Sequence, residues 1–229
     1  MGTVSKILVW WVLFGGAHFI GSSVPIRSRL IAAIGLWPFK ALYSIVALAT
    51  FVQLVRVYFA DKHAGPLLYA PAGWLRAVAQ VLMFPAVVLL VQGLVTPGPT
   101  TTAGEAMRKG AEPRGILRIT RHPQNLAYAL FGAAHCLVNP AAGDWLFFGG
   151  FVVFAVLSAI HQDRRTAAAG SEAAREFLAR TSLVPFGAIL KRRQRLVPGE
   201  FSVAALVVSA ILFVALRLYH GAIFGGFAN

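Results

Sequence analysis

Long apolar runs separated by short basic or breaker-rich stretches dominate this chain. A spanning helix needs about 17–25 largely apolar residues. Six stretches fit that pattern: 4–25, 37–60, 75–95, 124–141, 145–162 and 201–227. The fourth and fifth are short and are joined by Asn139-Pro140-Ala141-Ala142-Gly143-Asp144, a tight turn rich in helix breakers. A re-entrant pair is the alternative there. The expected fold is all-α: a polytopic transmembrane helical bundle of about six spans, built as a single domain over residues 1–229.

Charge distribution orients the bundle. With the N-terminus outside, the inside segments are 25–40, 96–123 and 163–200, and they carry 16 of the 21 lysines and arginines. The exceptions are Lys6, Arg56, Lys62, Arg76 and Arg217. The positive-inside rule therefore predicts both termini on the non-cytoplasmic side, in a bacterial inner membrane. Residues 102–110 and 171–181 have patterns suited to short amphipathic helices at headgroup level. Ordinary solvated loop is the alternative for both.

Composition agrees with a bilayer as the main solvent. Only 13% of residues are charged, against about 25% in a soluble domain. The net charge of +13 does not point to nucleic acid, because the basic residues lie between apolar runs and leave no separate basic face. Cys136 is the only cysteine, which excludes an internal disulfide and zinc sites built on cysteine pairs. Lys6 followed by an apolar run could be read as a signal peptide. That run holds Trp10, Trp11 and His18, lacks a small-x-small exit, and is followed at once by Arg27 and Arg29. It reads as a retained first helix.

Ionisable groups within a span are costly and mark functional candidates. Of six histidines, His63 falls in an outside loop, His122 and His161 at inside helix ends, and His220 late in the last span. His18 and His135 alone fall well within the hydrocarbon. Along the helix axes they lie roughly 10 Å and 16 Å from the inside boundary, a mismatch that helix tilt can absorb. Two imidazoles at like depth on different helices suit the axial positions of a heme iron. Each histidine sits on a polar or small stripe: Trp11, Gly15, His18, Ser22 in the first span, and Asn125, Tyr128, Gly132, His135, Asn139 in the fourth. A glycine one turn away would let a flat macrocycle approach the backbone. The same stripes also suit helix–helix seams, with histidines bonded across helices. Both readings stand at this point.

Arg121-His122-Pro123 opens the fourth span, with Pro123 at the first helical position and His122 at the cap. Arg121 is a candidate anion clamp or lipid anchor. The run Gly115-Ile116-Leu117-Arg118-Ile119-Thr120-Arg121-His122-Pro123-Gln124, with Ala134-His135 thirteen residues after His122, resembles the NnrU family. That family includes the 15-cis-zeta-carotene isomerases. Asp163-Arg164-Arg165, Arg180-Thr181-Ser182-Leu183-Val184-Pro185-Phe186, Ala17-His18 and His220-Gly221 are similar too. The resemblance covers nearly the whole chain.

The resemblance implies a heme-dependent isomerase that turns a cis double bond of a linear polyene to trans with no net redox change. It implies heme b held by His18 and His135, with Arg121, His122 and Asp163 in a polar cluster supporting the site. One departure stands out. The isomerases carry a cysteine three residues before the second heme histidine, where this chain has Gly132. Other classes remain open: an NnrU-type membrane factor linked to nitric-oxide and nitrite metabolism, a b-type cytochrome, or a methyltransferase of the isoprenylcysteine type, which shares the Arg-His-Pro motif.

Overall fold

In the computed structural model, residues 1–98, 112–168 and 170–225 are described. The elements run α1 (Thr3–Ser22), α2 (Val24–Ile34), α3 (Leu36–Ala60), α4 (Trp74–Val95), α5 (Ile116–Ile119), α6 (Pro123–Val138), α7 (Ala142–Ala168), α8 (Glu172–Arg180), α9 (Gly187–Leu190), a 3-10 turn (Pro198–Glu200) and α10 (Val203–Phe224). The fold is all-helical. Among the described residues the sole β contact is an isolated bridge between Leu67 and Ala141.

Five helices are long and apolar enough to cross a membrane: α1, α3, α4, α7 and α10. The remaining expected span, α6, has 16 residues, about 24 Å at 1.5 Å per residue. It packs between α4 and α7. Helix α7 runs to Ala168, 27 residues in all. The expected fifth span was shorter because its last turns carry His161, Asp163, Arg164 and Arg165.

Two further differences from expectation concern the connections. Residues 25–40 were expected to link two spans, but they form α2 and the start of α3, with Pro25 in the first turn of α2. Helix α8 occupies the expected 171–181 segment, and Ser171 caps it by accepting the Ala174 N–H at 3.2 Å. Its apolar face is turned into protein, with Phe177 packed among Leu89, Ile116 and Leu117. The other expected amphipathic helix, 102–110, lies outside the described residues.

The helix ends are tied together in two groups. At one end Thr3 Oγ1 donates to Asp61 at 2.7 Å, and Lys62 Nζ donates to the Phe224 carbonyl at 2.8 Å. The Gly143 N–H donates to the Ala64 carbonyl at 2.8 Å. The start of α1, the end of α3, the start of α7 and the end of α10 therefore share one end of the bundle. At the other end, Arg118 forms a two-pronged contact to Glu200, Nε to Oε2 at 2.7 Å and Nη2 to Oε1 at 2.6 Å. The Gly115 N–H, presented by a backbone with φ of 54°, adds a 2.7 Å bond to the same carboxylate. This strap closes the approach to α10, while Gln92, buried in α4, donates to the Ser202 carbonyl at 2.9 Å.

Candidate functional site

Helix α6 carries the richest chemistry. Its N-cap is His122, followed by Pro123 in the first turn, where a missing N–H is harmless. His122 is almost fully buried, and its Nε2 lies 2.8 Å from Asp163 Oδ1 on α7. Arg121 Nε lies 3.3 Å from the other oxygen of Asp163. The Arg121 guanidinium also donates to the Leu178 carbonyl at 2.9 Å. The Arg121 N–H donates to the Ser182 carbonyl at 2.9 Å, and the Phe186 N–H to the Ile119 carbonyl at 2.9 Å. The structure thus brings Arg121, His122 and Asp163 together. The Arg-His-Pro motif and the 180–186 segment, separate in sequence, form one interlocked surface at the mouth of α6.

His135 lies near the opposite end of α6. Its ring stacks on Phe148 of α7 (centroids 4.5 Å apart) and sits 4.3 Å from Phe131. Its Nδ1 is 2.8 Å from the Phe131 carbonyl. A carbonyl only accepts, so Nδ1 must carry the proton. In the neutral ring Nε2 then holds the free lone pair, the tautomer a metal ligand requires.

His18 is placed differently. Its Nδ1 lies 2.9 Å from the Tyr43 hydroxyl of α3, and its ring lies 5.0 Å from Phe154 of α7. One turn on, Ser22 Oγ donates to the His18 carbonyl at 2.6 Å and meets His161 Nε2 at 3.0 Å. Trp11, also on this stripe, seats its indole against Gly150 of α7. The first-span stripe is therefore the α1–α7 seam. His18 is a histidine bonded across helices.

The two histidines are not brought face to face. His18 lies beside Phe154 and His135 beside Phe148. Six residues on one helix amount to about 9 Å along its axis and about 240° around it. The space between is filled with rings: Phe14 meets Phe51, Phe51 meets Phe151, and Phe151 meets Phe131 at centroid distances of 5.4, 6.1 and 5.3 Å. Of the two roles left open for Gly132, its contacts show the helix seam. A Cβ there would strike the Phe148 carbonyl and crowd Val152 and Phe151. The glycine is a close crossing of α6 on α7.

Sequence reasoning set three groups aside. His220 of α10 has its ring 6.2 Å from that of His135. His63 Nδ1 lies 2.9 Å from Asp144 Oδ2, and the Tyr58 hydroxyl donates to Asp144 Oδ1 at 2.9 Å. Asp144 is fully buried at the start of α7. Its signal was present in the Asn139–Asp144 turn, which was read only for its breakers. Among the described residues, no three His, Cys, Asp or Glu side chains are grouped so as to hold a metal ion. Heme makes a smaller demand, since its macrocycle supplies the equatorial nitrogens and the protein only the axial ones. His135 would offer its Nε2 to such a group, and His18 has its Nδ1 engaged by the Tyr43 hydroxyl.

No curated protein and no solved structure matches this chain. The model of the NnrU protein family matches residues 7–227, nearly the whole length and every element described above, and the chain belongs to that family.

Proposed function

We propose that this protein is a heme-dependent integral membrane isomerase converting a cis double bond of a linear polyene, such as 15-cis-zeta-carotene, to trans. The observation that carries this reading is His135: an imidazole on α6 walled by Phe131 and Phe148, with Nδ1 committed to the Phe131 carbonyl and Nε2 left to bind a metal. An intramembrane ionisable group is a functional site by default. The resemblance to the isomerases supplies the cofactor, heme b, and names His18 as the second ligand. When bound, heme iron would supply a centre able to weaken the π character of a double bond held over it.

The remaining residues have supporting tasks. Arg121 and His122, through Asp163, fix the start of α6 and so the rotation at which it presents His135. The apolar helices admit a lipophilic substrate from the bilayer and exclude water. In the membrane, α6 serves as a sixth span between α4 and α7, both termini lie on the non-cytoplasmic side, and the basic Arg121 end faces the cytoplasm of a bacterial cell.

The test is a product assay. Detergent-purified protein, reduced with dithionite, is incubated with 15-cis-zeta-carotene and the isomers are separated by chromatography. Conversion to the 15-trans isomer is expected, with His135→Ala at least 100-fold slower. A heme-loaded protein that leaves the isomer ratio at the no-enzyme value contradicts the reading.

A further inference from the structure

We propose that residues 184–196, at the end of the bundle that carries Arg121, form a docking site for an anionic phospholipid. Basic side chains meet the headgroup phosphate and apolar ones enter the acyl boundary. This rests on the bundle lying in a bilayer and not on the heme reading.

The segment is built as a rigid knob. Phe186 and Arg192 have φ of 60° and 57°, a left-handed backbone that non-glycine residues keep only where their surroundings fix it. Both are fixed. The Phe186 N–H donates to the Ile119 carbonyl, and the Arg192 N–H to the Ile189 carbonyl, each at 2.9 Å. The Arg193 and Gln194 N–H groups converge on the Ala188 carbonyl at 2.8 and 3.2 Å. Ala188 is fully buried. The buried Gln194 side chain accepts from Arg118 at 2.6 Å, which ties the knob to the Arg118–Glu200 strap.

What this frame turns outward is amphipathic. Val184, Phe186, Leu190 and Leu196 are exposed, Leu190 to 80%. Lys191, Arg192, Arg193 and Arg195 are exposed among them. Arg193 also donates to the Ala179 carbonyl. The acidic side chains described at this end are committed elsewhere: Glu200 to Arg118, Asp163 to Arg121 and His122, Glu112 and Glu176 to Arg180, and Glu172 to Arg175. Among the described residues, none of the four exposed cations has a carboxylate at ion-pair distance. Their charge therefore calls for an external anion. Clusters of Lys and Arg beside a span attract anionic lipid, and Val203 opens α10 shortly after Leu196. The apolar side chains decide between partners. A nucleic acid would leave them in water, whereas acyl chains bury them.

The test is native mass spectrometry of the full-length chain in neutral detergent, titrated with phosphatidylglycerol, phosphatidylcholine or glycerol 3-phosphate. Wild type is expected to bind phosphatidylglycerol at least tenfold more tightly than phosphatidylcholine and to take up no glycerol 3-phosphate at the same concentrations. Lys191→Gln/Arg192→Gln/Arg195→Gln is expected to lose that preference. Arg29→Gln/Lys40→Gln/Arg164→Gln removes the same charge elsewhere and is expected to keep it. Leu190→Ser/Leu196→Ser is expected to weaken both lipids several-fold. The single Lys191→Gln leaves the left-handed turn at Arg192 untouched and is expected to weaken phosphatidylglycerol about fivefold, so a misfolded triple variant does not spare the proposal. No preference in wild type, equal losses in the two triple variants, or glycerol 3-phosphate bound as tightly as the lipid overturns it. Heme-free protein with the expected lipid pattern removes the heme reading alone, and heme-loaded protein without the pattern removes this inference alone.

Discussion

A side chain at position 132 has nowhere to go. The Cβ of an alanine there would meet the Phe148 carbonyl, whereas a Cβ at Gly149, one helix away, meets only Cys136 Sγ at 3.9 Å. Gly132→Ala is therefore expected to lower stability by about 1–3 kcal/mol through overpacking, while Gly149→Ala is neutral or stabilising by up to about 1 kcal/mol. Thermal unfolding in detergent checks the pair; equal losses would contradict the packing described. Gly132→Cys, which restores the isomerase pattern, meets the same carbonyl and is expected to destabilise comparably. Sequence spacing correctly placed Gly132 and His135 on one stripe of α6. It could not say which neighbour covers each position, so the cradle and the helix seam both stayed open until the crossing on α7 was in view. Depth measured from one boundary separated His220 from His135, whereas the end of α10 brings their rings to 6.2 Å.

Among the elements, the short helices were the least legible. Helix α8 was predicted from its amphipathic pattern, but a pattern does not distinguish lipid from protein as the apolar partner, and Phe177 chooses the protein core. The strap joining α5 to the turn before α10 was not foreseen at all, because Arg118 and Glu200 are 82 residues apart. Arg118 and the Gly115 N–H hold the Glu200 carboxyl at about 2, below its ordinary 4.5. A carboxylate whose folded-state value is depressed contributes its full stability above the ordinary value and loses it as pH falls through the folded one. The strap should therefore weaken as pH drops from about 4.5 toward 2. Glu200→Gln is expected to lower stability by about 1 kcal/mol at neutral pH and to flatten the pH dependence below 4.5. Unfolding temperatures measured from pH 3 to 7 distinguish this from an idle surface pair, which would give superimposable curves.

For the molecule as a whole, hydrophobic run length carried most of the architecture. Five of the six expected spans correspond to helices long and apolar enough to cross a membrane. Lys6, Lys62 and the end of α10 lie together at one end, while Arg118, Arg121 and Arg180 lie at the other. Alkaline phosphatase fused after residue 225 should be active in the periplasm, and green fluorescent protein fused there should be dark. The reverse pattern would overturn the proposed orientation. Local segments such as Arg121-His122-Pro123 and 180–186 were legible as motifs. Their mutual docking was not, because it depends on the length of α7 and its delivery of Asp163 to the mouth of α6.

The central claim is that His135 anchors a heme, and the most direct measurement is heme content. Wild-type protein purified from heme-replete cells is assayed by pyridine hemochrome against protein concentration, beside His135→Ala of matched monodispersity. About one heme b per chain in the wild type and less than about a tenth of that in the variant is the predicted result. No heme in the wild type, or equal heme in both, would contradict it.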